Sequence, residues 1–186
     1  MPFRSLSRSL LLTVVLFGAA ANSAWALDDY LAVIKAVQAD DLAAIRADVV
    51  RGDDLNHQDD LGRTGLTYAA IAGNAPMIKL LMQGGARATI RDNDNRVALH
   101  WAVQKDNPDG VSALLDGGAS VEALDPHGTT PLMMAADNGN LAVIRVLLAH
   151  HARVDTRDYT GRSALDFAIS SRQSRAAELL KQAGAS

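Results

Sequence analysis

A period of 33 residues governs this chain. Asp59, Asp92, Asp125 and Asp158 recur at that interval, and five residues after each stands a related hexad: TGLTYA from Thr64, VALHWA from Val97, TPLMMA from Thr130 and SALDFA from Ser163. The doublets Leu80-Leu81, Leu114-Leu115, Leu147-Leu148 and Leu179-Leu180 recur later in each unit, and Gly85-Ala86, Gly118-Ala119, His151-Ala152 and Gly184-Ala185 then follow in phase. A period of this length means stacked units that cannot bury their apolar faces alone. The predicted fold is therefore an all-α solenoid in which each unit is a helix, a turn, a second helix and a projecting loop.

Each part of the unit has a local cause. Thr64, Thr130 and Ser163 open apolar-periodic segments as N-caps, because a side-chain oxygen there accepts from a helix-terminal N–H. Pro131 follows at the first helical position, where it is tolerated. Valine cannot cap, so the helix after Val97 is expected to start about 1 kcal/mol less stably. Leu66, Leu99, Leu132 and Leu165 fill the layer between neighbouring first helices, with small Ala69, Ala70, Ala102, Ala135 and Ala136 allowing close approach. Ile78/Leu81, Val111/Leu114, Ile144/Leu147 and Ala176/Leu180 form the buried stripe of the second helices. Gly85 and Gly118 suit a left-handed helix end, and Gly62, Asn95, Gly128 and Gly161 suit the tight loop before each first helix.

At these residues the chain resembles the ankyrin-repeat family, whose signature is T-P-L-H-x-A at a 33-residue period. The resemblance is close over 59–186 and weaker over 27–58. It divides the chain into an N-terminal capping repeat (27–58), repeats 59–91, 92–124 and 125–157, and a C-terminal capping repeat (158–186). The first cap reads as two short helices split at Asp40-Asp41. The last carries Arg172, Gln173, Ser174, Arg175, Glu178 and Lys181 on its second helix, the polar end that a solenoid needs.

Residues 1–26 read as a secretory signal peptide. Arg4 and Arg8 precede an uncharged run from Leu10 to Ala21, followed by Ala24-Trp25-Ala26 and the acidic Asp28 and Asp29. The run is shorter than the roughly 20 residues of a membrane span. Cleavage is expected after Ala26, with no cysteine there for a lipid anchor and no membrane association afterwards. The expected location is the bacterial periplasm.

Composition narrows the chemistry. With no cysteine, the chain has no disulfide, thiolate zinc site or cysteine nucleophile. A formal net charge of −3 and 4% aromatic residues argue against nucleic acid as partner. The catalytic signatures G-x-S-x-G, G-x-G-x-x-G, H-E-x-x-H and the phosphate-loop lysine motif are absent from the sequence, so no enzymatic activity and no cofactor are expected. His100 stands at the histidine of the family signature, which implies an imidazole that ties adjacent loops. His150-His151 replaces the glycine pairs 84–85 and 117–118, so His151 is expected at positive φ with a strain of about 1–2 kcal/mol. His57 reads as solvated, and His127 sits at a loop tip.

In ankyrin-repeat proteins the partner meets the loops and the exposed side of the first helices. Carried over, that surface comprises Asp60, Leu61, Arg63, Ile71 and Ala72, then Asn93, Asp94, Arg96, Gln104 and Lys105. Pro126, His127, Thr129, Asp137 and Asn138 continue it, followed by Tyr159, Thr160, Arg162, Ser170 and Ser171. Arg63, Arg96 and Arg162 share one repeat position beside Arg91 and Arg157, forming a basic ladder on an acidic protein. Two readings stand: guanidinium groups gripping carboxylates of an acidic partner, or local pairing with Asp60, Asp92, Asp94 and Asp158. Leu61, Ile71, Leu124 and Tyr159, read as exposed, favour contact. The expected function is that of a monomeric periplasmic adaptor that binds a protein, and the resemblance to small exported bacterial members of the family implies assistance to a resident enzyme in oxidative-stress defence. The alternatives are an immunity or inhibitor protein against a periplasm-acting toxin, and a haem- or metal-handling protein using His127, His150 and His151.

Overall fold

The structure, a computed structural model, describes residues 31–185. The signal-peptide reading falls outside them. Ten helices among the described residues form five successive pairs: α1 (Ala32–Gln38) with α2 (Leu42–Arg51), α3 (Gly65–Ala72) with α4 (Ala75–Gln83), α5 (Ala98–Gln104) with α6 (Pro108–Asp116), α7 (Pro131–Asn138) with α8 (Leu141–Ala149), and α9 (Ala164–Ser170) with α10 (Ser174–Gln182). First helices pack on first helices from α1 to α9, and second helices on second helices from α2 to α10. One buried cluster runs unbroken from Val33 to Leu180. The all-α solenoid read from the period is thus the observed architecture.

The predicted caps are in place. Thr64, Thr130 and Ser163 accept from the amides of Thr67, Met133 and Asp166 at 3.3, 3.2 and 3.3 Å. The first three second helices begin on Asp41, Asn74 and Asn107, whose side chains accept from amides of their own first turns, while α8 and α10 follow Asn140 and Gln173 without a side-chain cap. Val97 makes no side-chain cap, yet the start of α5 is not left open: His100 Nδ1 accepts the Val97 amide hydrogen at 3.1 Å. The expected penalty at this helix is therefore partly offset from inside its own first turn.

His151 has φ 64°, as its place in the glycine register requires. A further left-handed series links each first helix to its second: Asp40, Gly73, Asp106, Gly139 and Arg172, again 33 residues apart. At Gly62 the loop also needs the missing side chain, because a Cβ there would lie 2.6 Å from Asn93 Oδ1 and 2.8 Å from the Asn93 amide nitrogen.

Candidate functional site

The loops before the first helices share one electrostatic device. The aspartate that opens each unit from Asp59 onward turns one carboxylate oxygen inward to its own loop. Asp59 Oδ1 accepts from the amides of Leu61 and Arg63, and Asp92 Oδ1 from Asp94 and Arg96. Asp125 Oδ1 accepts from His127 and Thr129, and Asp158 Oδ1 from Thr160 and Arg162. Two amides per carboxylate close each loop and aim its tip residues outward. At Asp158, burial pushes the carboxyl up, but the Arg162 amide, the Thr160 hydroxyl and amide and the Arg162 guanidinium together outweigh it. They hold the carboxyl at about 2.

The second carboxylate oxygen recruits the first helix. The Tyr68 hydroxyl donates to Asp59 Oδ2 at 2.5 Å, and the Trp101 indole to Asp92 Oδ2 at 2.7 Å. In the last repeat Arg162 bonds Asp158 Oδ2 through Nε at 3.3 Å and Nη2 at 3.1 Å.

The arginine ladder is largely engaged within the molecule. The Arg63 guanidinium lies 4.5 Å from the centre of the Trp101 ring, with its Nε 3.9 Å from Asp92 Oδ2. Arg96 sits 5.5 Å from the same ring, and Arg162 sits 4.1 Å from the Phe167 ring. Arg91 donates to the carbonyls of Asn95 and Leu124, in its own loop and at the start of the next. Arg157 donates to the Gly161 carbonyl. Of the aspartates read as local partners, Asp92 and Asp158 take Arg63 and Arg162, whereas Arg96, Arg91 and Arg157 rest on a ring, on backbone carbonyls or near Asp166.

The side chains proposed for contact divide by exposure. Asp60, Leu61, Asn93, Asp94, Gln104, Lys105, His127, Asp137, Asn138, Tyr159 and Arg162 are exposed; Arg63, Ile71 and Arg96 are half-buried. Two expectations are corrected. Thr129 is buried, because its amide is drawn down to Asp125. Leu124 and Ile71, read as exposed, are half-buried. Tyr159 is 74% exposed and Leu61 51%. Ile169, not singled out from the sequence, is also exposed, on the terminal helix pair.

Arg96, Gln104, His127, Asp137, Asn138 and Arg162 come together around one groove of about 310 Å³, floored by Asp125, Thr129, Met134 and Phe167. Leu61, Ile71 and Tyr159 lie outside it. Ile71 and Ala72 line a separate hollow of about 370 Å³ with Val37, Gln38 and Tyr68. The histidines do not converge: His150 faces Asp116 at 3.7 Å, His151 is exposed, and His127 lines the groove. Among the described residues no group of three metal-ligating side chains assembles. His100 is buried, and burial pushes its imidazole below the usual histidine range. Its Nε2 lies 3.0 Å from the Ala123 carbonyl, so it does tie helix to loop as the family resemblance implies.

No curated protein matches the chain. A family model described as ankyrin repeats (3 copies) matches residues 33–125 and 117–186. With the helix pairs, the loop aspartates and that match in agreement, the chain belongs to the ankyrin-repeat family, whose members are protein–protein interaction modules.

Proposed function

We propose that this module works in the bacterial periplasm as a non-enzymatic, monomeric adaptor that recognises one protein through its loop tips and the open side of its first helices. The observation that carries the reading is Tyr159 at a loop tip: a large side chain left 74% exposed on a rigidly closed loop. Its ring sits against Gly128, where a Cβ would come within 2.7 Å of Tyr159 Cδ1. An aromatic group held out by a rigid frame supplies contact area at little entropic cost. The N-terminal sequence pattern supports export and cleavage after Ala26. Assistance to a resident enzyme in oxidative-stress defence is the role within this reading.

Crosslinking in the intact cell, followed by capture from periplasmic extract, tests it. Recovery of one protein in stoichiometric amount supports the adaptor. An oxidative-stress enzyme as that protein supports the helper role, whereas a secreted toxin replaces it with inhibition. Retention of the chain in the cytoplasm with residues 1–26 intact would remove the periplasmic assignment.

A further inference from the structure

Asp125 breaks the loop ladder. It is only 6% exposed, and its Oδ1 is used by the His127 and Thr129 amides at 2.8 and 2.9 Å. The second carboxylate oxygen of Asp59, Asp92 and Asp158 each has a side-chain donor. At the two repeat positions that supply those donors, this unit carries Thr129 and Met134 instead of arginine and an aromatic ring. Thr129 serves Asp125 through its amide, and methionine has no proton to give. No described residue donates to Asp125 Oδ2.

The preceding repeat does not make up the loss. Arg63 reaches forward to Asp92 at 3.9 Å, but its counterpart Arg96 is drawn over Trp101 and towards Gln104 Oε1 at 3.4 Å. A carboxylate this deeply buried is stabilised by charge-assisted donors on both oxygens. At Asp125 the oxygen without a protein donor is not sealed inside the stack, and the residue lines the groove between the repeats that open at Asp92 and Asp158. Asp137 adds a second carboxylate to its wall, while Arg162 is already taken up by Asp158 at 3.1 Å.

We propose that this groove receives a basic side chain of the protein partner, a lysine ammonium or arginine guanidinium, which donates to Asp125 Oδ2. The proposal rests on the adaptor reading and narrows it: the partner presents a protruding basic residue at this point, although the neighbouring ladder is itself basic. A volume of about 310 Å³ accommodates either side chain with its aliphatic stem along Met134.

The test is an NMR titration of isotope-labelled protein, expressed from the full chain, with N-acetyl-arginine methylamide and N-acetyl-lysine methylamide. The neutral citrulline analogue serves as control. The His127 and Thr129 amides, which report on Asp125 directly, shift saturably with a cationic probe and not with the neutral one. Asp125→Asn keeps an oxygen for both amides and removes the charge; it weakens binding by about tenfold or more. Met134→Tyr leaves the charge and restores the donor found at Tyr68, and it weakens binding to a similar degree. Equal shifts with the neutral probe, unchanged binding in both variants, or no saturable shift at these amides overturns the proposal. Capture of the partner by Asp125→Asn at undiminished affinity does the same, and leaves the adaptor reading standing.

Discussion

His100 Nδ1 accepts the Val97 amide hydrogen at 3.1 Å while His100 Nε2 stands 3.0 Å from the Ala123 carbonyl. Because Nδ1 accepts, the proton is on Nε2, which donates to Ala123, and the ring is neutral. One buried side chain thus finishes the helix start that Val97 leaves uncapped and fastens it to the loop ahead of the next repeat.

Replacing His100 with alanine strips a buried amide and a buried carbonyl of their partners at once. A loss of about 2–4 kcal/mol is expected from two unsatisfied groups. Urea unfolding at neutral pH measures it, and a change below 1 kcal/mol would show that water takes over both bonds.

Acid weakens the fold through two groups in two windows. The His100 imidazole titrates lower in the folded chain than its ordinary value of 6.5, so its contribution is complete above that value and is lost as pH falls below it. The Asp158 carboxyl, held at about 2 against an ordinary 3.8, contributes fully above the unfolded value and loses its share as pH falls from there towards 2. Unfolding midpoints across pH 7 to 2 are expected to fall in both windows. His100→Ala flattens the upper window and Asp158→Asn the lower.

At His151, φ 64° places a side chain where glycine bears no penalty. His151→Gly is expected to stabilise the protein by about 1 kcal/mol, read from thermal or urea unfolding. An unchanged or lowered midpoint would mean that the imidazole makes contacts that offset the backbone strain.

Gly62 and Gly85 separate two costs of adding a methyl group. Both have positive φ, but a Cβ at Gly85 meets nothing within 4 Å, whereas one at Gly62 runs into Asn93. Asn93 bonds the Leu61 and Asp60 carbonyls at 3.0 and 2.8 Å and so couples the two loops. Gly85→Ala is expected to cost about 1 kcal/mol, and Gly62→Ala at least about 1 kcal/mol more. Equal losses in unfolding experiments would refute the loop–loop clash.

The repeat register made most of the fold legible. Hydroxyl caps, the buried stripes and the left-handed Gly62, Asn95 and His151 follow from position and residue type. Asp40, Asp106 and Arg172 were equally readable, since they share a register with Gly73 and Gly139. The arginines were not. A repeat position fixes where the backbone of Arg63 lies, but a long side chain chooses its own resting place, here the Trp101 ring. Thr129 was missed for a related reason: its position is on the loop face, while the side chain is turned into the stack. The Asp125 groove depends on what Thr129 and Met134 fail to supply, which becomes visible only when the donors of the other repeats are seen in place.

Binding by the loop and first-helix face sets that face of the stack apart from the second-helix face. Two surface variants compared in the same partner capture, each checked by circular dichroism for an unchanged fold, test it most directly. One changes Leu61, Lys105, Asn138 and Tyr159, all exposed on the loops and first helices; the other changes Lys79 and Arg145, exposed on second helices. The first is expected to lose the partner and the second to keep it. Retention by the first together with loss by the second would contradict that expectation.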